Sequence, residues 1–439
     1  MKNQTFTVKD GREGAVLILL YGFEKGIGLR EIEREVLAGS NLNRPAVSFM
    51  TELVRGTLER LLTIDYCIGK FSKTAVRKMK PLIRSDLRVA VYQLLYLTKT
   101  PASAVVNTAV TIAGQHGFTG LKGFVNGLLR NISRCRDELI EEVSSAKDPE
   151  VRYSVPSFVI DLLTADYGEE KTEKILAAIQ EKKPLSGFAV TKNMSREDLL
   201  SALEKEGFQA VPDVTLSAAF SLAGSGAGIT ETKSFKKGAF YICDRSSMAD
   251  GEALLKILPS LPENNIKLLD ICASPGGKSV QAADILSARG EVISRDVSEK
   301  KVARIRENAE RTGLSNIHPE VADATVFDPA SEGAYDAVIA DVPCSGLGVM
   351  GMKPDIRYRQ DEKSMADIVA LQRSILKNAV AYVKAGGYMI YSTCTLHKKE
   401  NEDHRHFVES SGFTLVSEET RFPDEGPWGG FYTAVLRKN

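Results

Sequence analysis

Along the first 140 residues, apolar positions recur at spacings of three and four, notably in 47–64, 87–97 and 104–113. That period predicts helices with one buried face. Pro81 and Pro101 punctuate between them. Residues 141–150 are polar and contain Pro149, which predicts a linker. Helical periodicity resumes over 156–167 and 170–181. Short strands are predicted at 186–190 and near Ile229, with a helix at 195–206 between them, giving a small α/β module up to residue 236. The stretch Ala223-Gly224-Ser225-Gly226-Ala227-Gly228 reads as a loop within it. From 237 the pattern changes. Short β-branched runs at 267–272, 291–296, 318–322, 334–341 and 387–394 alternate with amphipathic stretches at 278–287, 298–312, 362–383 and 399–411. This alternation predicts a doubly wound, largely parallel sheet. Residues 413–417 and 431–437 read as a closing pair of strands. The expected domains are therefore 1–140, 141–236 and 237–439.

Bulk numbers sharpen this picture. A chain of 439 residues is too long for one core. Net charge is zero, yet residues 1–140 hold 21 Lys and Arg against 12 Asp and Glu. Their net charge of +9 is offset by −9 over the remaining 299 residues. A basic helical part suits contact with a polyanion. Lys70, Lys73, Arg77, Lys78, Lys80, Arg84 and Arg88 cluster with Asp86 as the sole acid among them. They form either a solvated helix face or a phosphate-contacting surface. The six cysteines are scattered without a Cys-x-x-Cys pair, which argues for free thiols in a reducing compartment, the cytoplasm, and against a zinc ribbon. Asp10 and Glu13 precede the apolar run at 15–20, unlike a signal peptide. No apolar run approaches the ~20 residues that span a bilayer, so no membrane association is expected.

The chemistry concentrates in the last domain. In Asp270-Ile271-Cys272-Ala273-Ser274-Pro275-Gly276-Gly277-Lys278 a strand runs into a glycine-bearing turn and then a helix. Such a turn lets backbone approach a ligand closely. A Walker A loop would need glycine at position 272, which is Cys272, and the dinucleotide pattern G-x-G-x-x-G is absent. Asp296, ending the next strand, suits ribose hydroxyls. Asp323, ending the third, is placed for an adenine amino group. Either aspartate alone is also a plausible helix N-cap. With Asp270 they make three acids at successive strand ends, which favours S-adenosylmethionine (SAM) over a pyrophosphate ligand that carboxylates would repel. Cys344 and Cys394 each lie at or just past a predicted strand end, and thiols beside a cofactor loop suggest covalent catalysis.

These segments carry a family resemblance. Asp270–Lys278, Asp341-Val342-Pro343-Cys344-Ser345-Gly346 and Tyr391-Ser392-Thr393-Cys394-Thr395 closely resemble motifs of RNA cytosine-5 methyltransferases of the RsmB/NOP type. Lys353-Pro354-Asp355-Ile356-Arg357-Tyr358 and Glu400-Asn401-Glu402 add to the match. Pro101-Ala102-Ser103-Ala104-Val105-Val106-Asn107 and Phe124-Val125-Asn126-Gly127-Leu128-Leu129-Arg130 resemble the helical NusB-type RNA-binding fold. A NusB-like domain fused to this catalytic domain is the RsmB arrangement, and it covers nearly the whole chain. The implied architecture is an all-α NusB-like domain, a small ferredoxin- or RRM-like α/β module and a Rossmann-like SAM-methyltransferase domain. The chain departs from the family at Val342 and Ser274, each usually alanine, at Cys243, usually glutamine, and at Phe158, usually tryptophan. The common aspartate near Gly429-Gly430-Phe431-Tyr432 is also missing.

The resemblance implies residue roles. Cys394 is the nucleophile, Cys344 releases product, and Asp341 reads the cytosine N3/N4 edge. Cys272, Ala273, Ser274, Pro275, Gly276, Gly277, Lys278, Asp296, Asp323 and Asp341 border the cofactor. Lys278 either assists there or is a solvent-facing helix residue. RNA contacts are expected from Lys353, Arg357, Lys73, Arg77 and Lys78, although Arg357 also reads as a loop ion-pair partner of Asp355. Cys67, Cys135 and Cys243 read as small core hydrophobes. A zinc site from Cys394, His397, His404 and His406 is disfavoured, because His404 and His406 point to different sides of a helix. The implied substrate is small-subunit rRNA, bare or partly assembled, with tRNA as alternative, and the protein is expected to act as a monomer. Two rival classes remain: a non-catalytic RNA-binding module, and a DNA cytosine methyltransferase using Cys344 alone.

Overall fold

The computed structural model describes residue 6, residues 8–224, residue 226 and residues 228–439. Ser225 and Ala227 of the glycine-rich stretch lie outside the described residues. By its internal packing the chain divides into two units: residues up to Asp161 with Arg357–Arg359, and Leu162–Ile356 with Gln360–Asn439.

The first unit is helical, the architecture of a NusB-like domain. The helix Pro81–Tyr96 starts on a proline, whose missing N–H costs nothing at that position. It buries Leu87, Val91 and Leu95 in a core with Leu53, Ile64, Ile112, Val125 and Leu129. The periodic stretch 47–64 is two helices rather than one. Arg44–Glu59 ends at Arg60, whose ψ of 18° turns the chain before Leu61–Phe71. The polar stretch read as a linker is mostly helical, shared between Arg136–Ser144 and Pro149–Tyr153.

Long-range ion pairs reduce the basic cluster. Lys70 pairs with Glu142, Arg84 with Glu24, and Arg88 with both Glu24 and Asp65. Lys73, Arg77, Lys78 and Lys80 stay exposed around a short 3-10 turn, Val76–Lys78. Arg357 is corrected by its surroundings. It is 1% exposed and donates to the Ser154 carbonyl at 3.1 Å, so it presents no surface to RNA.

The second unit holds two sheets. Strands β1 (Ser186–Ala189), β2 (Ala210–Pro212), β3 (Ala219–Leu222) and β4 (Phe240–Ile242) form an antiparallel sheet in the order β2-β3-β1-β4. With the helix Arg196–Lys205 this is the ferredoxin-like module. The expected strand near Ile229 is instead a 3-10 turn, Ile229–Glu231, and the pairing strand is β4. Strands of three or four residues are too short for a period of two to stand out.

The larger sheet comprises β5 (Ile266–Asp270), β6 (Gly290–Asp296), β7 (Ile317–Val321), β8 (Tyr335–Asp341), β9 (Val383–Thr393), β10 (Phe413–Arg421) and β11 (Phe431–Lys438). Its order is β10-β11-β9-β8-β5-β6-β7. The five strands from β5 to β9 run parallel, and the last two are antiparallel. Helices over both faces explain the nearly continuous burial of β8. Asp336 is tolerated there because it accepts from Lys267 N at 2.8 Å and pairs with Lys384 at 2.7 Å. The helix Glu299–Thr312 buries Val302, Ile305 and Ala309 along one stripe and stops at Gly313, whose φ of 64° only glycine adopts freely. A capping box from Asp361 and Ser364 starts Glu362–Tyr382. Strand order reverses beside β5, and the carboxyl ends of β5, β6, β8 and β9 open on that crevice, where ligands bind such sheets.

Candidate active site

A cavity of about 720 Å³ occupies this crevice. Its walls include Cys272, Ser274, Asp296, Asp323, Asp341, Cys344, Lys353 and Cys394. Eight predicted positions thus converge on one space of small-molecule size.

The cofactor end forms where β5 turns into the helix Gly277–Leu286. Gly276 has a φ of 106°, and a Cβ on Gly277 would meet the Tyr241 ring at 2.8 Å. Gly276 is therefore required by its backbone conformation, and Gly277 by the ring packed against it. Asp296 accepts from Ser274 N (3.0 Å) and Val297 N (2.7 Å) and pairs with Lys301 (3.0 Å). It fastens the turn to β6 as well as facing the cavity. Asp323 is exposed at the rim. One of its oxygens takes both donors of Thr325, which hold its carboxyl below the usual range, and the other is left for a ligand. Asp270 is fully buried. Its Oδ2 accepts from Ser279 at 2.6 Å, while Oδ1 has no partner. Burial pushes its carboxyl up to about 7. A turn held by Gly276, with buried Asp296 and exposed Asp323 both on the cavity wall, fits an adenosine ligand with a positively charged amino acid end. Cys272 lines the same wall and packs against the sheet core, and burial raises its thiol pKa.

At the other end Cys344 Sγ and Cys394 Sγ lie 3.1 Å apart. The hydrogen bond between them lowers the Cys394 pKa, with Lys353 and Lys278 assisting, and raises that of Cys344. Cys394 is thus the thiol of the pair more readily ionised. The two loops are bound together by groups that sequence reasoning left without a role. Glu400 Oε2 accepts from Ser345 N (2.9 Å) and Gln372 Nε2 (2.9 Å), and Ser345 Oγ meets Thr395 Oγ1 at 2.7 Å. Asn401 Oδ1 accepts from Thr393 Oγ1 at 2.6 Å. Gly348 N donates to Cys394 O (3.0 Å), an approach a side chain at 348 would block. Asp244, in the loop where Cys243 departs from the family, accepts from Ser246 N and, at 3.4 Å, from Gly429 N.

Lys278 is not solvent-facing. Its Nζ donates to Asp341 Oδ2 at 2.6 Å and lies 3.5 Å from Asp250 Oδ2. Burial opposes its charge, but the two carboxylates outweigh that cost and its pKa is raised. Asp250, on the helix Ala249–Ile257, has no motif around it that would single it out. His397 is bonded to Asp166 and His404 to Gln372. Among the described residues no cluster of metal-ligating groups occurs, and no helix is long and apolar enough to cross a membrane. Cys67 belongs to the helical core, and Cys135 and Cys243 pack against cores.

A parallel sheet of this order, with a glycine turn and strand-end acids facing one cavity, defines a Rossmann-like SAM-dependent methyltransferase domain. Residues 258–411 match the family model "16S rRNA methyltransferase RsmB/F", residues 12–134 the NusB family, and residues 155–227 the ferredoxin-like domain of RsmF/B-like methyltransferases. The probable ribosomal RNA small subunit methyltransferase B of Bacillus subtilis (strain 168) is 34% identical over 89% of this chain and 87% of its own. The corresponding Synechocystis protein is 32% identical over 82% and 80%. The chain therefore belongs to the 16S rRNA methyltransferase RsmB/F family. Among solved structures, PH0851 covers 99% of this chain and 100% of its own, with a TM-score of 0.79 at 21% identity. NSun6 from Pyrococcus horikoshii, solved with SFG, covers 64% of this chain and 98% of its own, with a TM-score of 0.58 at 22% identity. At these identities the likeness concerns the fold.

Proposed function

We propose that this protein methylates C5 of a cytosine in small-subunit rRNA through a transient bond between Cys394 and C6 of the base. The observation that carries this reading is the thiol pair, 3.1 Å apart on the wall of the cavity that also holds Asp341. C5 of cytosine is a poor nucleophile. Adding the Cys394 thiolate to C6 makes C5 an enamine carbon that can attack an electrophile. Asp341 supports the addition by hydrogen bonding to N4 and passing a proton to N3 as charge builds there. It also selects cytosine over uracil, because the exocyclic group is a donor only on cytosine. Asp296, Asp323, Asp270 and the turn at Gly276 would hold SAM, which when bound supplies a methyl group on a positively charged sulfur. Cys344 is proposed to promote release: as a thiolate it takes the C5 proton, the freed electron pair restores the C5–C6 double bond, and Cys394 leaves C6 as a thiolate.

The base must leave its stack to reach this cavity, which favours single-stranded or partly assembled rRNA. Lys353 on the cavity rim, and Lys73, Arg77 and Lys78 on the helical unit, are proposed as RNA contacts. Such a role places the protein in the cytoplasm, acting as a monomer on RNA. The test uses transcribed small-subunit rRNA and labelled SAM. Cys394→Ala abolishes methyl transfer, and Cys344→Ala accumulates a covalent protein–RNA adduct. Bisulfite mapping of RNA from cells with and without the protein locates the base. A fully active Cys394→Ala variant, with Cys344→Ala inactive and adduct-free, overturns the assignment.

A further inference from the structure

Asp250 is 0% exposed, belongs to none of the matched motifs and does not line the cavity. Its Oδ1 has no hydrogen-bond partner. Its Oδ2 lies 2.9 Å from Ser392 Oγ, and the same hydroxyl lies 3.4 Å from Asp341 Oδ1. Lys278 Nζ stands between the two carboxyl groups, 3.5 Å from Asp250 and 2.6 Å from Asp341. A hydroxyl has one proton. Between two carboxylates it can satisfy one and must turn a lone pair toward the other. The contact is favourable on both sides only if one carboxyl carries a proton and donates it to Ser392 Oγ. Asp250 is the one shut away from water, with an oxygen no donor reaches, where a full negative charge is most costly.

From this geometry we propose that Asp250 is a positioning residue that stores the proton Asp341 delivers to the base, with the Ser392 hydroxyl as relay. The inference rests on the cytosine reading given above. When Cys394 adds to C6, negative charge builds on N3. Ser392 Oγ–H passes its proton to Asp341 Oδ1, Asp250 Oδ2–H replaces it on Ser392, and Asp341 hands the proton it has received to N3. The charge of the Cys394 thiolate thereby ends on Asp250, and Asp341 is again a carboxylate. Lys278 stands between the two carboxylates and offsets their repulsion. When Cys394 leaves, the same three groups run the proton back. Every proton is accounted for, and no other reactant is required. Burial holds the Asp250 carboxyl up to about 7, with Lys278 lowering it, Asp341 and Asp270 raising it and the Ser392 bond lowering it. These are the groups that face it.

The test is single-turnover release of tritium from small-subunit rRNA labelled at cytosine C5, followed against pH, in wild type, Asp250→Asn and Ser392→Ala. In wild type the rate falls as pH rises through about 7, because Asp250 empties. Asp250→Asn keeps the shape and the bond to Ser392 but holds no transferable proton. It loses about tenfold or more in rate, below the 10²–10⁴-fold typical of a group acting directly on substrate, and it loses the basic limb. Its SAM affinity and thermal midpoint stay at wild-type values. Ser392→Ala gives the same two changes and carries the test if Asp250→Asn fails to fold. A variant that slows while keeping the basic limb assigns Asp250 a merely structural role and overturns the proposal, as does a wild-type rate and profile. A wild-type enzyme that forms no 5-methylcytosine defeats the cytosine reading itself, a different failure from an unchanged variant.

Discussion

Replacing Glu400 by glutamine tests whether the two thiol loops are held in register by a single side chain. Glu400 Oε2 takes two hydrogen bonds, from Ser345 N beside Cys344 and from Gln372 Nε2, both 2.9 Å. Gln372 Nε2 also reaches the Pro343 carbonyl at 2.9 Å. Glu400 Oε1 faces Thr395 Oγ1, beside Cys394, at 3.5 Å. The amide keeps the shape but has one acceptor oxygen in place of two. If that oxygen serves Ser345 and Gln372, the NH₂ faces the Thr395 hydroxyl. If it serves Thr395, two buried donors meet another donor. Hydrogen bonds to a charged group contribute about 1.5–3 kcal/mol each against about 1 kcal/mol for neutral ones. Weakening two of them, at a fully buried carboxyl, amounts to about 1–4 kcal/mol. The backbone at Ser345 carries Cys344 with it, and a thiol displaced by about 1 Å costs roughly 10²-fold in rate. The assay pairs single-turnover methylation of small-subunit rRNA with a thermal melt. The expected result is a roughly 10²-fold slower reaction and a clear drop in the melting midpoint, with SAM affinity retained because the glycine turn is untouched. A Glu400→Gln enzyme that reacts at the wild-type rate, with its midpoint unmoved, refutes the idea that this carboxyl registers the thiols.

Three further outcomes follow from named residues. In Gly348→Ala the new methyl would lie 2.2 Å from Gly430 O and 2.8 Å from Cys394 O. Overpacking against backbone of this kind costs about 1–3 kcal/mol, and loss of both stability in a denaturant melt and methylation is expected. His404 is kept neutral by burial, its pKa lowered to about 4. The unfolded chain binds that proton near pH 6.5 and the folded chain does not, so its contribution is lost as pH falls from about 6.5 toward 4. In thermal melts across that window His404→Gln lowers the midpoint less steeply than wild type. Replacing Lys73, Arg77 and Lys78 together by glutamate weakens RNA binding without changing SAM affinity. In a filter-binding titration on single-stranded RNA the salt slope falls by about 0.7 for each phosphate no longer neutralised, and an unchanged slope shows that those side chains touch no phosphate.

What the sequence reveals about this site depends on how far apart the cooperating residues lie. Asp270, Asp296 and Asp323 lie at or just past the ends of short apolar runs, and the alternation of such runs with amphipathic stretches marks their strands, so three acids at successive strand ends follow from patterning alone. Cys344 and Cys394 are legible for the same reason, since adjacent parallel strands bring their ends together. That reasoning stops at partners whose placement depends on packing. Asp250 lies on a helix whose burial is unremarkable in sequence, 28 residues before the lysine it faces. Glu400, on a 3-10 turn, and Gln372, on a helix, meet across 28 residues of chain, which no local period encodes. The basic run at 70–88 misleads in the opposite sense. Its charge density reads as one polyanion surface, but Glu24, Asp65 and Glu142 come from elsewhere in the chain to neutralise Lys70, Arg84 and Arg88. Arg357 misleads differently, its loop position suggesting exposure while burial and the Ser154 carbonyl hold it inside. Charge in a sequence is therefore a poor guide to a binding surface until opposite charges distant in the chain are located. An acid at a strand's carboxyl end is a better guide, because the topology of the sheet already determines which way that end faces.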